Sequence, residues 1–317
     1  MFLEYFKVTG LAVTQIFFLG AIGYFLVKKN MLGEAGLDTL SRLTIDITLP
    51  FLIFCELIKG FTFTFYAKWW LFPLISIAIT LLGLGVGSIF LKFISGHEYR
   101  MQFLSLIAFQ NSGYLPLALV ASLLPQDQLG PMFIYLFLFL LGFNLLIFSL
   151  GVYMLASKNG DKLELKSIFN PPVLATLITL VLILLKLNRI PDFVYKPLKL
   201  IGECTLPLAM LVVGGNLAQI RLGRIDKKAI FLMSLAKLVI LPGLGLLLLL
   251  KFRLPYLIGL LILIQLAAPP ATTPSVIIRL YKKEDLLISQ GIFFGHILGL
   301  ISLPVFLSLY FSLVMVK

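Results

Sequence analysis

The hydrophobic pattern divides the chain into long apolar stretches that short polar loops separate. A stretch of about 20 apolar residues is long enough to cross the roughly 30 Å hydrocarbon layer of a membrane as a helix. We predict ten such spans, with the approximate bounds Val8–Val27, Leu37–Ile58, Trp69–Ile94, Tyr99–Leu124, Met132–Ala156, Phe169–Leu187, Val194–Gln219, Lys228–Leu250, Leu254–Tyr281 and Leu287–Val316. The pattern therefore predicts an all-α integral membrane protein.

The fourth and ninth spans are both interrupted near their middle. The fourth contains Gln110-Asn111-Ser112-Gly113-Tyr114-Leu115-Pro116, and the ninth contains Ala268-Pro269-Pro270-Ala271-Thr272-Thr273-Pro274. Proline has no backbone N–H and is disfavoured inside a helix, but it suits the first turn of a new one. We therefore expect two half-helices in each span, with Asn111 or Ser112 capping one and Thr273 at the N-cap position of the other.

The composition supports the membrane assignment. Of 317 residues, 60% are hydrophobic and 13% are charged, whereas a soluble domain has about 25% charged residues. The net charge of +12 comes from Lys and Arg clustered in short loops, which the rules of membrane orientation explain without a nucleic-acid partner. Cys55 and Cys204 lie within apolar spans and predict no disulfide framework.

An internal repeat relates the two halves of the chain. Thr48-Leu49-Pro50 matches Thr205-Leu206-Pro207 at an offset of 157 residues (205 − 48), and the same offset places Asp46 on Glu203. With five spans in each repeat, the second repeat must enter the membrane in the opposite sense, as in carriers with inverted repeats. The predicted repeats are residues 1–156 and 169–317, joined by a cytoplasmic linker at 157–168.

The distribution of Lys and Arg predicts the orientation. The loops after the odd-numbered spans, including the central linker, hold more of these residues than the opposite loops and the two termini. The positive-inside rule therefore predicts both termini outside and the linker inside. Residues 1–10 include Glu4 and run directly into a full span, so we expect no cleavable signal peptide.

The motifs together resemble the auxin efflux carrier family. They are Asp46-Ile47-Thr48-Leu49-Pro50, Asn111-Ser112-Gly113-Tyr114-Leu115-Pro116, Lys237-Leu238-Val239-Ile240-Leu241-Pro242 and Ala268-Pro269-Pro270-Ala271. The resemblance implies a secondary carrier of small organic anions, a family that includes plant auxin exporters and bacterial malate or malonate permeases. It also implies a scaffold domain, a transport domain in which the fourth and ninth spans cross, and a possible homodimer through the scaffold.

The chain lacks the long cytosolic loop of the large plant exporters and so resembles a short prokaryotic member, in the cytoplasmic (inner) membrane. The resemblance places Asn111 in the substrate pocket. Its counterpart in the second half is Ala268 or Pro269, which makes the two sides chemically unequal. Half-helix N-termini carry partial positive charge and suit a carboxylate. The predicted substrate-binding residues are Asn111, Ser112, Gly113, Tyr114, Pro116, Pro269, Pro270, Thr272, Thr273 and Pro274. The plain alternative is two proline-kinked helices without a ligand.

The charged residues inside spans have two interpretations. Asp46 and Glu203 are candidates for binding a coupling proton or Na⁺, because a carboxylate at this depth is costly and usually faces a cavity or a partner. Alternatively, they pair with Lys237, which is also a candidate for attracting the substrate's charge. We place Asn144 with these three in a supporting network, although Asn144, Gln265 and Asn216 are more typical of interhelical hydrogen bonds. For His296 we favour a packed, satisfied side chain over a proton relay.

We therefore expect a carrier of small organic carboxylates that works by alternating access. Two alternatives stay open, a Na⁺/H⁺ exchanger with crossed helices and a membrane receptor that does not transport its ligand. The sequence has no nucleophile–base constellation, zinc-type spacing or nucleotide loop, so we expect neither an enzyme nor a cofactor or metal site.

Overall fold

The computed structural model describes residues 1–156, 168–220, 222–252, 254–281 and 285–314, and these fold as helices. We number them by the order of the predicted spans, with the interrupted ones divided into halves. The helices are α1 (Phe2–Lys28), α2 (34–60), α3 (Leu71–Ile89), α4a (His97–Ala108), α4b (Tyr114–Leu123), α5 (Gln126–Leu155), α6 (Pro171–Leu184), α7 (Asp192–Gln219), α8 (Lys227–Lys251), α9a (Tyr256–Ala267), α9b (Thr273–Leu280) and α10 (Leu286–Val314). In the described residues, β-structure is limited to one isolated bridge. The all-helical prediction is thus confirmed.

Six helices of the described chain are long and apolar enough to cross a membrane, namely α1, α3, α5, α7, α8 and α10. The other predicted spans are interrupted or shorter. The helix predicted at Phe169–Leu187 spans only Pro171–Leu184. Asn170 explains its start, because its side-chain oxygen accepts a hydrogen bond from the Val173 N–H and the prolines that follow need no N–H acceptor.

Two other predicted boundaries were wrong by several residues. The first helix begins at Phe2 rather than near Val8. The third span does not begin at Trp69, because residues 63–70 form turns, and the helix runs only from Leu71 to Ile89. In both cases the apolar pattern alone did not mark where the helix begins.

Irregular turns occur before three of the prolines in the spans. In α2 a π turn covers Thr44–Thr48, and in α8 another covers Ala236–Ile240. In α7 the helix is interrupted at Cys204, just before Thr205. A proline at position i cannot donate to the carbonyl at i−4 and its ring crowds that carbonyl, so a widened or broken turn before the proline relieves the clash.

Glycines allow the closest helix contacts. Gly23 and Gly214 lie where α1 meets α7, and a Cβ atom on either glycine would collide with the backbone of the facing helix. Gly83 faces the backbone of α4a in the same way, Gly87 faces the side chains of Leu104 and Ile107 in α4a, and Gly85 faces open space. Interfaces of small residues are the usual means of packing helices in a membrane, and Gly83 and Gly87 of α3 serve this purpose.

The outer surface is strongly apolar. On α6 the exposed side chains are Leu174, Leu177, Ile178, Val181 and Leu184. Their spacing forms one stripe along the helix. An apolar surface of this extent on the outside of a protein marks contact with a membrane, which agrees with the six long apolar helices.

Candidate functional site

The two interrupted helices meet through backbone hydrogen bonds. The Asn111 N–H donates to the Pro269 carbonyl at 2.8 Å, and the Ala271 N–H donates to the Phe109 carbonyl at 2.9 Å. Together they form the antiparallel bridge between Gln110 and Pro270. In a bilayer, freed backbone groups must find partners inside the protein. The crossing of the two breaks supplies those partners.

A chain of side-chain hydrogen bonds stabilises the crossing. His296 Nδ1 lies 2.8 Å from the Ile292 carbonyl. Because a carbonyl only accepts, Nδ1 carries the proton and Nε2 is left to accept. Asn111 Nδ2 donates to that Nε2 at 3.5 Å, and Asn111 Oδ1 accepts from the Leu115 N–H at 3.4 Å. These contacts assign one orientation to both side chains.

Gln265 links the ninth span to the fourth from the other side. Its Nε2 donates to the Ser112 carbonyl at 3.1 Å, so the interhelical role expected of Gln265 is confirmed. His296 is buried and both of its ring nitrogens have hydrogen-bond partners, which confirms the interpretation that we favoured. One of these partners is Asn111, the main candidate binding residue. Sequence reasoning assigned neither residue to the site, and their only signal was a polar side chain in an apolar span.

The half-helix starts differ slightly from those predicted. The N-cap of α4b is Gly113 and that of α9b is Thr272, and neither residue makes a side-chain cap hydrogen bond. The prediction of Thr273 as the N-cap was wrong by one residue, because Pro274 occupies the second helical position rather than the first. The first N–H groups of a helix have no intrahelical acceptor, so both starts keep the partial positive charge that attracts anions.

Several polar atoms at the crossing are buried and have no hydrogen-bond partner among the described residues. They are both side-chain atoms of Gln110, the Tyr114 hydroxyl and Gln265 Oε1. The Gln110 side chain is fully buried. Buried polar groups normally have a partner, so these atoms are available to a ligand or to water. Gln110 was not predicted as a site residue, although it directly precedes the predicted stretch.

A cavity of about 300 Å³, which we call the apolar cavity, lies beside this network. Its lining residues are Ile16, Phe17, Gly20, Ala21, Tyr24, Phe25, Leu115, Met210, Val213, Gly214, Leu217, Phe293, His296, Ile297 and Leu300. The α1 and α7 helices form one wall, and α4b and α10 form the other. The predicted substrate-binding residues, all within the described chain, do not line it. The cavity reaches their network through Leu115 and His296.

A second cavity, the polar vestibule, continues along α1, α7 and α10. Its volume is about 470 Å³, and its lining residues are Val27, Asn30, Leu32, Gly33, Glu34, Gln219, Arg279, Asp285 and Ser289. Asp285 Oδ2 accepts hydrogen bonds from Arg279 Nε at 2.6 Å, Ser289 Oγ at 3.0 Å and Ser275 Oγ at 3.1 Å. Burial opposes ionisation of Asp285, but these bonds and the Arg279 charge outweigh it and lower the pKa of the carboxyl.

The predicted charge network is not assembled in this conformation. Glu203 Oε1 lies 3.8 Å from Lys199 Nζ. Both residues line a third cavity of about 430 Å³. This cavity and the polar vestibule lie at opposite ends of α2 and α7. Asp46 is exposed. Lys237 is completely buried, and its Nζ has no hydrogen-bond partner in the described residues. The alternative in which Lys237 pairs with either carboxylate is therefore wrong for this conformation.

Asn144 has a different role from the one predicted for it in the charge network. Its Oδ1 accepts from Asn170 Nδ2 at 2.9 Å, and its Nδ2 donates to the Leu140 carbonyl at 2.8 Å. These bonds join α5 to the start of α6, which confirms the interhelical interpretation.

Comparison with known proteins identifies the family of the chain. The family model described as "Membrane transport protein" matches residues 10–307. The chain is also similar to Protein PIN-LIKES 1 of Arabidopsis thaliana, with 22% identity over 384 aligned residues that cover 98% of this chain and 80% of that protein. The match to the family model extends over nearly the whole chain and includes both interrupted helices. The chain therefore belongs to the membrane transport protein family, which is the auxin efflux carrier family.

Proposed function

We propose that this protein is a secondary carrier that moves small organic carboxylates across the cytoplasmic membrane by alternating access. The observation that carries the proposal is the hydrogen-bonded crossing of the two interrupted helices, Asn111 with Pro269 and Ala271 with Phe109. Irregular backbone at membrane depth occurs in carriers where it lines a binding site. Membership in a membrane transport family supports the same class of function.

The crossing favours a negatively charged substrate. The starts of α4b and α9b each provide roughly half a positive charge through N–H groups without an intrahelical acceptor. Neither N-cap residue makes a side-chain cap hydrogen bond, and Asn111 Oδ1 accepts from one N–H group of α4b, that of Leu115. The Tyr114 hydroxyl and the Gln110 amide are buried and unpartnered in the described structure. A carboxylate would accept hydrogen bonds from these donors, which a cation would not.

The cavities suggest the path of the substrate. The apolar cavity lies between α1 and α7 on one side and α4b and α10 on the other, and the polar vestibule continues along three of those helices. The third cavity lies between α2, α4b, α5 and α7. We propose ten spans in two inverted repeats, with α1, α2, α6 and α7 as the scaffold and the remaining helices as the moving unit. Rocking of that unit would open each cavity in turn.

The apolar walls narrow the choice of substrate. A carboxylate with an apolar body would place its charged end at the crossing and its body in the apolar cavity. Malate and malonate carry a second charge or polar groups that these walls do not match. We therefore expect the best substrate to be a monocarboxylate with an apolar body.

A binding screen followed by counterflow tests the proposal. Malate, malonate, benzoate and indole-3-acetate would be added to the purified protein, and a ligand at a hundred times its dissociation constant should stabilise it by about 2.7 kcal/mol. Labelled benzoate and labelled malate would then be followed into proteoliposomes preloaded with the unlabelled acid. We expect counterflow of at least one of the two.

Two outcomes would contradict the carrier proposal. Binding of a carboxylate without counterflow would indicate a receptor. Cation-driven pH change in proteoliposomes without any carboxylate, lost with Asp46→Asn, would indicate a Na⁺/H⁺ exchanger.

The proposed orientation has both termini outside and the central linker inside, which lies at 157–168 and is almost wholly outside the described residues. A cysteine introduced at Phe2 in a Cys55→Ser, Cys204→Ser background tests it. We expect this cysteine to react with a membrane-impermeant maleimide in intact cells. Reaction only after the membrane is opened would reverse the orientation. We also propose a homodimer through the scaffold, which mass measurement in detergent tests.

A further inference from the structure

Lys237 is the most unusual charged residue in the described structure. It lies in the π turn Ala236–Ile240 of α8, its side chain is 0% exposed, and its Nζ has no hydrogen-bond partner. The turn exists because Pro242 cannot donate a backbone hydrogen bond, so the Leu241 N–H donates five residues back, to Ala236. π turns of this kind recur at functional sites.

The packing of α8 places Lys237 level with the crossing. Gly245 of α8 faces Leu266 near the end of α9a, and these two consecutive helices run antiparallel. Lys237 precedes Gly245 by eight residues, which is about 12 Å along a helix. That distance passes the end of α9a and reaches the depth of the break at 268–271. The π turn itself packs against α3, α4a, α9a and α10.

No charged group of the described chain faces the amine. Apart from lysines on α8 itself, the titratable residues on the elements packed against the turn are His97, Glu98, Tyr99 and Arg100 of α4a, Tyr256 of α9a, and His296 and Tyr310 of α10. The α3 helix has none. His296 is already engaged with Ile292 and Asn111.

A protonated amine in this position lacks a counter-charge. An uncompensated buried charge is strongly unfavourable, and ionisable residues inside a membrane normally face a partner or a cavity. The residues that the structure describes do not supply the partner in this conformation. A carboxylate bound at the crossing would supply one at the same depth, so a proton on Lys237 and a carboxylate at the crossing would stabilise each other.

We propose that Lys237 is the coupling-proton site of this carrier, an inference that rests on the proposed function. The amine accepts a proton from water on the side where the carboxylate enters, forming an N–H bond. It returns that proton to water on the side where the carboxylate leaves. One proton therefore moves with each carboxylate, and transport of a monocarboxylate is electroneutral. By linkage, each ligand raises the affinity for the other by the same factor.

Proton uptake on binding tests the proposal directly. Benzoate and malate, which stay ionised above pH 6, would be titrated into the purified protein in weakly buffered detergent solution with a pH-indicator dye. We expect close to one proton taken up per carboxylate bound at pH 8. We also expect the dissociation constant to rise by up to about tenfold per pH unit above neutrality, the limit for one linked proton.

Variants separate the proposed role from a structural one. Lys237→Met, which keeps the length without the charge, should take up no proton, and any residual binding should not depend on pH. Lys237→Arg keeps a permanent charge and should bind carboxylate without taking up a proton. The matched control is Lys251→Met, an exposed lysine at the end of the same helix, which should take up one proton like the unaltered protein.

The outcomes distinguish this inference from the proposed function. Carboxylate binding without proton uptake in the unaltered protein would overturn the role of Lys237 and leave the carrier assignment intact. Full uptake in Lys237→Met or Lys237→Arg would do the same. If Lys237→Met does not fold, the comparison of proton uptake between the unaltered protein and Lys237→Arg still tests the role of Lys237. Absence of any carboxylate binding would overturn both proposals.

Discussion

In α4 the break consists mainly of polar residues, whereas in α9 it consists of two prolines between two alanines. The break in α9 needs few hydrogen-bond acceptors, because it has few backbone N–H groups. Pro269 and Pro270 have no N–H, the Ala268 N–H donates to Ile264, and the Ala271 N–H donates to Phe109. Every N–H from 268 to 271 is thereby accounted for without a polar side chain.

The α4 break depends on side chains instead. Asn111 bonds both to His296 and to the start of its own half-helix, and Ser112 offers its carbonyl to Gln265. Polar side chains thus satisfy the backbone in the break of the fourth helix. In the break of the ninth helix, prolines leave fewer backbone N–H groups to satisfy. An apolar proline motif can therefore be the structural counterpart of a polar one.

The largest effect is expected from Asn111→Leu. This change leaves His296 Nε2 and the Leu115 N–H without partners, and each unpaired buried group costs about 1–3 kcal/mol. Carboxylate affinity and counterflow should fall at least about tenfold. The control is Asn170→Ala, which removes the cap of α6 away from the crossing and should lower stability while transport persists. Equal loss of transport in both variants would refute a recognition role for Asn111.

A smaller effect is expected from Gly295→Ala on α10. A Cβ atom there would press on the ring of Pro270, and overpacking of this kind costs about 1–3 kcal/mol. The unfolding midpoint of the purified protein should fall, because the apolar break relies on close packing. Gly85→Ala, which faces open space, is the control and should not destabilise. A midpoint unchanged in Gly295→Ala would show that the α9 break tolerates displacement.

Gln265→Leu tests the one polar contact that α9a makes across the crossing. It frees the Ser112 carbonyl but also removes the unpartnered Gln265 Oε1, so the net loss of stability should be only about 1 kcal/mol. Thermal unfolding checks this. A loss as large as that of Asn111→Leu would mean that the α9 side contributes equally to the polar network.

The smallest effect concerns the far end of α9b, where Asp285 joins Arg279 and Ser275 to α10. Because its pKa is lowered in the folded state, Asp285 stabilises the fold above its ordinary pKa of about 3.9 and loses this effect as the pH falls through the folded value. Asp285→Asn should lower the unfolding midpoint at pH 7, and the difference should shrink as the pH approaches 4 and below.

Asp192→Asn is the control for this pH dependence, since its ion pair with Lys196 is exposed and contributes little. A difference between Asp285→Asn and the unaltered protein that does not change with pH would argue against the ionised clamp.

The sequence determined the features that depend on local backbone chemistry and hydropathy. Long apolar runs specify membrane helices, and the prolines at 116, 269, 270 and 274 specify where two of them break, because a missing N–H acts wherever the chain lies. The interhelical roles of Asn144 and Gln265 were also predictable, since an amide in an apolar span needs a partner.

The tertiary structure alone decided which groups meet. His296 binds Asn111 across 185 residues of sequence, and the apolar cavity requires the glycine-packed pair of α1 and α7 to face α4b and α10. Whether a counter-charge lies next to Lys237 likewise depends on which faces of the neighbouring helices pack around it. A hydropathy pattern records how apolar each helix is, but the choice of facing helices arises from shape complementarity between distant segments.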